Sequence, residues 1–168
     1  TTTMTVALLI SVALLAGIVV HLGWEAWSAS FTQADRPGNP YVYAQPMGDV
    51  VEIGRAVNAL AAASPSPITV VVCYQDGDYW PMPWYLRKIV HTGWWSSVPD
   101  TLPPADVALV SPELEPALTK ALYARAAPGE RPLYVSLFSR PAYVRPEREI
   151  RVYTTVALRE LGERPGGK

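Results

Sequence analysis

Hydrophobic and polar positions divide this chain sharply. From Met4 to Trp24 there is no Asp, Glu, Lys or Arg, and Glu25 is the first charge. About 20 such residues, rising 1.5 Å each as a helix, cross the roughly 30 Å hydrocarbon core of a bilayer. The pattern predicts a transmembrane anchor over residues 1–27, with Trp24 and Trp27 at the membrane–water interface. A cleaved signal peptide fits less well. Thr1 to Thr5 carry no basic residue and the apolar run is long, although Ser28-Ala29-Ser30 offers the small residues of a cleavage site. A buried core helix is the third reading, but such helices rarely stay free of charge for so long. The chain begins on Thr, which suggests processing, trimming or the tail of a longer polypeptide.

Residues 28–40 are polar and end in Arg-Pro-Gly-Asn-Pro, the composition of a linker, so the domain is expected over 41–168. Tyr41 to Ala44 alternates like a short strand. Asp49 and Glu52 have capping-box spacing. Val50, Ile53, Val57 and Leu60 then recur at helical intervals until Ser64-Pro65-Ser66-Pro67. Ile68 to Tyr74 is a continuous apolar, β-branched run, as in a strand buried on both faces. Further strands are expected over Ile89–Trp95, Asp106–Val110, Leu133–Phe138 and Ile150–Tyr153, with a short helix over Pro83–Lys88. Ser111-Pro112 reads as a helix start, but Pro116 favours a start one turn later, with Leu118 and Leu122 facing inward. Thr154 to Leu161 reads as strand or a final helical turn. The alternation predicts an α/β domain: three layers around a mostly parallel sheet of about five strands.

Composition narrows the function. The net charge is -1 and no basic stripe exists, which disfavours nucleic acid as a partner. Cys73 is the single cysteine, so no internal disulfide is possible, and its apolar setting marks it as a small buried hydrophobe. Two histidines and one cysteine, far apart, cannot make a usual zinc site without several carboxylates. No cofactor is expected. The 17 prolines argue for short elements and rigid connections.

The densest chemistry follows the Ile68–Tyr74 strand. Asp76-Gly77-Asp78 has spacing able to hold a divalent cation; the plain reading is a turn. Trp80, Trp84, Tyr85, Trp94 and Trp95, with Arg87, are expected to form a packing or membrane-facing patch, or to stack a sugar or a partner side chain. His91 has no nucleophile nearby in sequence. His21, in the apolar helix, is placed to snorkel or to meet a partner. Ser111 and Ser139 lack a G-x-S-x-G context, and no Gly-rich phosphate loop is present.

Three segments carry a resemblance: Tyr41-Val42-Tyr43-Ala44-Gln45-Pro46 with Asp49-Val50, Asp78-Tyr79-Trp80-Pro81-Met82-Pro83-Trp84-Tyr85-Leu86-Arg87, and Ala105 to Val110. Together they resemble the C-terminal region of GT-C-type membrane glycosyltransferases, the dolichyl-phosphate-mannose–protein mannosyltransferase-like and flippase-activity-associated group. The resemblance implies a last transmembrane helix followed by an extracytoplasmic α/β domain. That family's catalytic acids lie in an early loop this chain does not contain, so no catalytic residue is carried over.

The leading expectation is a non-catalytic, single-pass subunit of a bacterial inner membrane. Its periplasmic domain would dock on other membrane subunits, of respiratory or photosynthetic type for example, with membrane lipid as its other partner. The Trp-rich, Lys-poor flank from Trp24 to Phe31 points to that side. The alternatives are the C-terminal fragment of a glycosyltransferase, or a glycan- or lipid-binding module using the tryptophans.

Overall fold

The structure is a computed structural model describing residues 2–34, 36, 39, 46–124, 129 and 131–164. The chain divides into two compact units, Thr1–Gln45 and Pro46–Lys168, each described by itself.

The first unit is built on α1 (Thr2–Trp27), in which every residue is exposed. A π-type turn over Ser28–Thr32 prolongs the helix into the polar segment. The helix Thr2–Thr32 contains an 18-residue stretch with a mean hydropathy of 2.5, and is long and apolar enough to cross a membrane. Inside it, the Ser11 hydroxyl donates to the Ala7 carbonyl at 2.9 Å, so this polar side chain needs no water. At the far end the rings of Trp27 and Phe31 lie 4.3 Å apart. The strand expected over Tyr41–Ala44 falls outside the described residues.

The second unit is a mixed α/β domain. Its elements are α2 (Gly48–Ala63), β1 (Thr69–Cys73), α3 (Met82–Tyr85), β2 (His91–Trp95), β3 (Val107–Val110), α4 (Glu115–Ala124), β4 (Tyr134–Ser136), β5 (Ala142–Arg145), β6 (Arg148–Thr155) and α5 (Val156–Glu163). The sheet runs β2-β1-β3-β6-β4, and β5 pairs with β6 off this path. β2, β1 and β3 are parallel, with Val71 opposite Gly93 and Ala108. β6 joins β3 antiparallel, Leu109 facing Val152, and β4 and β5 also pair with it antiparallel. The α/β class and the approximate strand count hold, with six strands, but the expected mostly parallel sheet is corrected to a mixed one. β6 and β4 make it so; β5 adds a hairpin to β6 through Pro146-Glu147, a link too short for a crossover helix.

Alternation along the strands makes two cores. Val70, Val72, Val107, Leu109 and Val152 pack under Ile53, Val57 and Leu60 of α2, Met82 of α3 and Leu158 of α5. Val71, Cys73, Ala108 and Val110 face the other way, onto Leu118 of α4 and the loop residues Leu102 and Ala105. Helices thus cover both sides of the sheet.

Local details differ from expectation at α2 and α3, while α4 begins one turn after Ser111-Pro112, as Pro116 led one to expect. α2 starts behind Met47, which makes no side-chain cap, so Asp49 and Glu52 form no capping box. Instead Asp49 accepts the Tyr143 amide at 2.9 Å and pairs with Arg140 at 2.8 Å, while Glu52 holds the same guanidinium at 2.5 Å. Asp49, in the first turn, suits the helix dipole, and here both acids tie α2 to the segment before β5. The Pro83–Lys88 helix is a single turn, Met82–Tyr85. α4 starts at Glu115, after a turn over 112–114, as Pro116 requires of an N-terminal proline.

Candidate functional site

The carboxyl edge of the parallel strands is the first place to look. The chain leaves β1 towards the α3 face and leaves neighbouring β3 towards the α4 face. Such a divergence opens the crevice in which α/β sheets bind ligands. Here it is closed by the protein's own groups. Buried Ser111 donates its amide to the Cys73 carbonyl at 3.1 Å, and its hydroxyl oxygen accepts the Gln75 amide at 3.3 Å. The Glu113 carboxyl is held below the usual carboxylate range by its own backbone amide first and the Ser111 hydroxyl second.

Asp76 and Asp78, the weak metal candidates, do not act together. Asp76 is exposed in the turn after β1 with a left-handed φ of 61°, and Asp78 is half-buried between two arginines. Its carboxylate meets Arg145 at 2.6 Å and Arg148 at 3.4 Å. Among the described residues no group of three or more His, Cys, Asp or Glu side chains is placed to hold a metal.

The same commitment extends through the domain. Five described carboxylates are half-buried: Asp49, Asp78, Asp106, Glu115 and Glu149. Asp49 and Asp78 are paired as above. Asp106 accepts the Thr69 amide at 2.7 Å and so staples the start of β3 to β1. Glu115 takes both the Arg151 guanidinium and the Tyr153 hydroxyl, fastening α4 to β6. Glu149 receives Arg151 Nε at 2.9 Å. None of these pairings was expected from the sequence, because the partners lie far apart in the chain or on a strand whose pairing was not anticipated.

The aromatic residues expected to cluster fall into three groups. Trp94 packs on Tyr79 with tilted rings, centroids 5.0 Å apart, against the α2-side core. Trp95 lies against the α4-side core. Adjacent strand residues point to opposite faces, which separates this pair. Trp80 and Trp84 are 58% and 62% exposed, on the segment leading through α3. Burial pushes the thiol of Cys73 up to about 11, so it stays a neutral core side chain.

Around Trp84 a groove of about 580 Å3 runs between α2 and α3. Trp84, Tyr85, Arg87 and Lys88 form one wall; Arg55 and Asn58 form the other. The Arg87 guanidinium lies 4.2 Å over the Trp84 ring and donates to the Trp84 carbonyl at 2.5 Å. Asn58 donates to the carbonyls of Tyr85 at 3.0 Å and Gly54 at 2.6 Å, locking α3 onto α2. Gly54 permits this approach, since a Cβ there would lie 2.8 Å from Tyr85 Cβ. The α2 wall was missed. Its signal is the helical spacing of Val51, Arg55, Asn58 and Ala62, which share one face.

His21, Trp24 and Trp27 belong to the first unit and are exposed on α1. His91, at the start of edge strand β2, and Ser139 are exposed. No protein-family model, curated protein or solved structure matches this chain.

Proposed function

We propose that this chain is a membrane-anchored accessory domain that performs no chemistry itself and docks within a larger membrane assembly, on the periplasmic side of a bacterial inner membrane. One observation carries the reading: all five half-buried carboxylates are spent on holding the domain together. A general acid or a nucleophile needs a carboxylate oxygen facing substrate. These oxygens face the domain's own guanidinium groups, amides and a phenol. The same pairings give Trp80 a firm mount, because Arg145 holds Asp78 at 2.6 Å and reaches the Trp80 carbonyl at 3.4 Å. An exposed indole on a fixed turn is the kind of side chain that anchors an interface. The apolar helix supplies the tether.

The DYWPMPWYLR resemblance favours one identity for that assembly: the transmembrane body of a GT-C-type glycosyltransferase, on the same polypeptide or a separate one. Gentle solubilisation and affinity purification test the reading. A stoichiometric polytopic partner is expected, and Trp80→Ala lowers its recovery about 30-fold, the loss of an interface anchor worth about 2 kcal/mol. A monodisperse, partner-free monomer, or full recovery with Trp80→Ala, refutes it. Intact mass and N-terminal sequencing of the native protein then decide whether both parts share one chain.

A further inference from the structure

Several cations of the domain contrast in their partners. Arg140, Arg145, Arg148, Arg151 and Arg159 each meet a carboxylate. Arg55, Arg87 and Lys88 meet none among the described residues, and the three converge on the groove between α2 and α3. Among the described residues no acidic side chain lines that groove. Its floor is fixed, since Asn58 clamps the end of α3, and its rim carries the exposed Trp84 ring beneath the Arg87 guanidinium.

Cations without a carboxylate partner, beside an exposed indole, suit a surface at lipid-headgroup level. Guanidinium and ammonium meet phosphate, and the indole enters the layer just beneath. We propose that this groove binds the phosphodiester headgroups of anionic phospholipids in the bilayer that holds α1. The proposal rests on the anchor part of the reading above and is independent of any docking partner. A free phosphate ion would satisfy the cations but leave Trp84 with nothing apolar to enter. The tether also keeps lipid at high local concentration, so a weak site fills.

The test uses the full chain in nanodiscs, with a bimane label on Ala62→Cys, an exposed position lining the groove. Buried Cys73 does not compete for the label. A blue shift is expected in phosphatidylglycerol-rich discs and is reversed by high salt; pure phosphatidylcholine gives none. Arg55→Gln, Arg87→Gln and Lys88→Gln each weaken the response to phosphatidylglycerol about fivefold. These residues are exposed, and circular dichroism of each variant confirms an intact fold. An equal response in phosphatidylcholine, displacement by millimolar inorganic phosphate, or a response confined to discs carrying native membrane proteins overturns the proposal. Flotation of the chain with vesicles after a urea wash reads the anchor separately. A chain that fails to float removes the anchor and this proposal together. One that floats without a bimane response sinks the groove alone.

Discussion

Gly93→Ala is the sharpest test of how the sheet edge is built. Gly93 lies on β2, two residues before Trp95 and on the same face. The indole leans back over it: a Cβ added at Gly93 would lie 2.0 Å from Cη2 and 2.3 Å from Cζ3 of Trp95. The ring must leave its place against the α4-side core. Removing a fully buried Trp costs about 3–5 kcal/mol, so displacing this half-buried one costs about 2 kcal/mol. Alanine in place of glycine inside a strand returns about 0.5–1 kcal/mol. The net expectation is a loss of about 1 kcal/mol, a fall in Tm of roughly 3–6 °C for a domain of this size. In a Trp95→Ala background there is no ring to displace, so the same change becomes stabilising by about 0.5 kcal/mol. Urea unfolding of all four proteins in detergent, followed by near-ultraviolet circular dichroism, measures the coupling, expected near 1.5 kcal/mol. Equal losses in both backgrounds would refute the steric account.

Two further outcomes follow from the polar groups. Asp78→Asn frees Arg145 and Arg148 and lowers stability by about 1 kcal/mol at low salt; all three side chains are partly exposed, so the gap to wild type should narrow in high salt. Burial raises Tyr74 and Tyr134 to about 12, above their ordinary value of 10.0. The native state therefore holds protons that the unfolded chain releases, so stability is full below pH 10 and falls as pH rises towards 12. Tyr74→Phe removes the hydroxyl bonded to the Glu149 carbonyl at 3.1 Å and costs about 1 kcal/mol at neutral pH, but flattens the alkaline fall. A parallel alkaline curve for the variant would contradict this.

Much of the parallel half of the sheet was legible because its strands are pure apolar runs, Val70 to Cys73 and Val107 to Val110, and α2 carries an unbroken helical stripe. The antiparallel half was harder. β5 is four residues long, and its turn uses Glu147 at a φ of 63° where Gly or Asn would have signalled a hairpin. β6 did alternate, Ile150, Val152 and Thr154 inward against Glu149, Arg151 and Tyr153, but only part of it was read as strand. The splitting of Trp94 from Trp95 was implicit in strand alternation. The charge pairs were not readable, since Asp78 meets arginines some seventy positions away, and only folding sets that proximity.

The pairing of β3 between β1 and β6, with α2 lying against α5, also constrains biosynthesis. Within the domain, a ribosome delivers α2 and β1 well before β6 and α5. The α2-side core lacks Ile150, Val152 and Leu158 until that final stretch emerges. The domain therefore cannot close this core until its last strand and helix have been made, well after α2 and β1 have emerged.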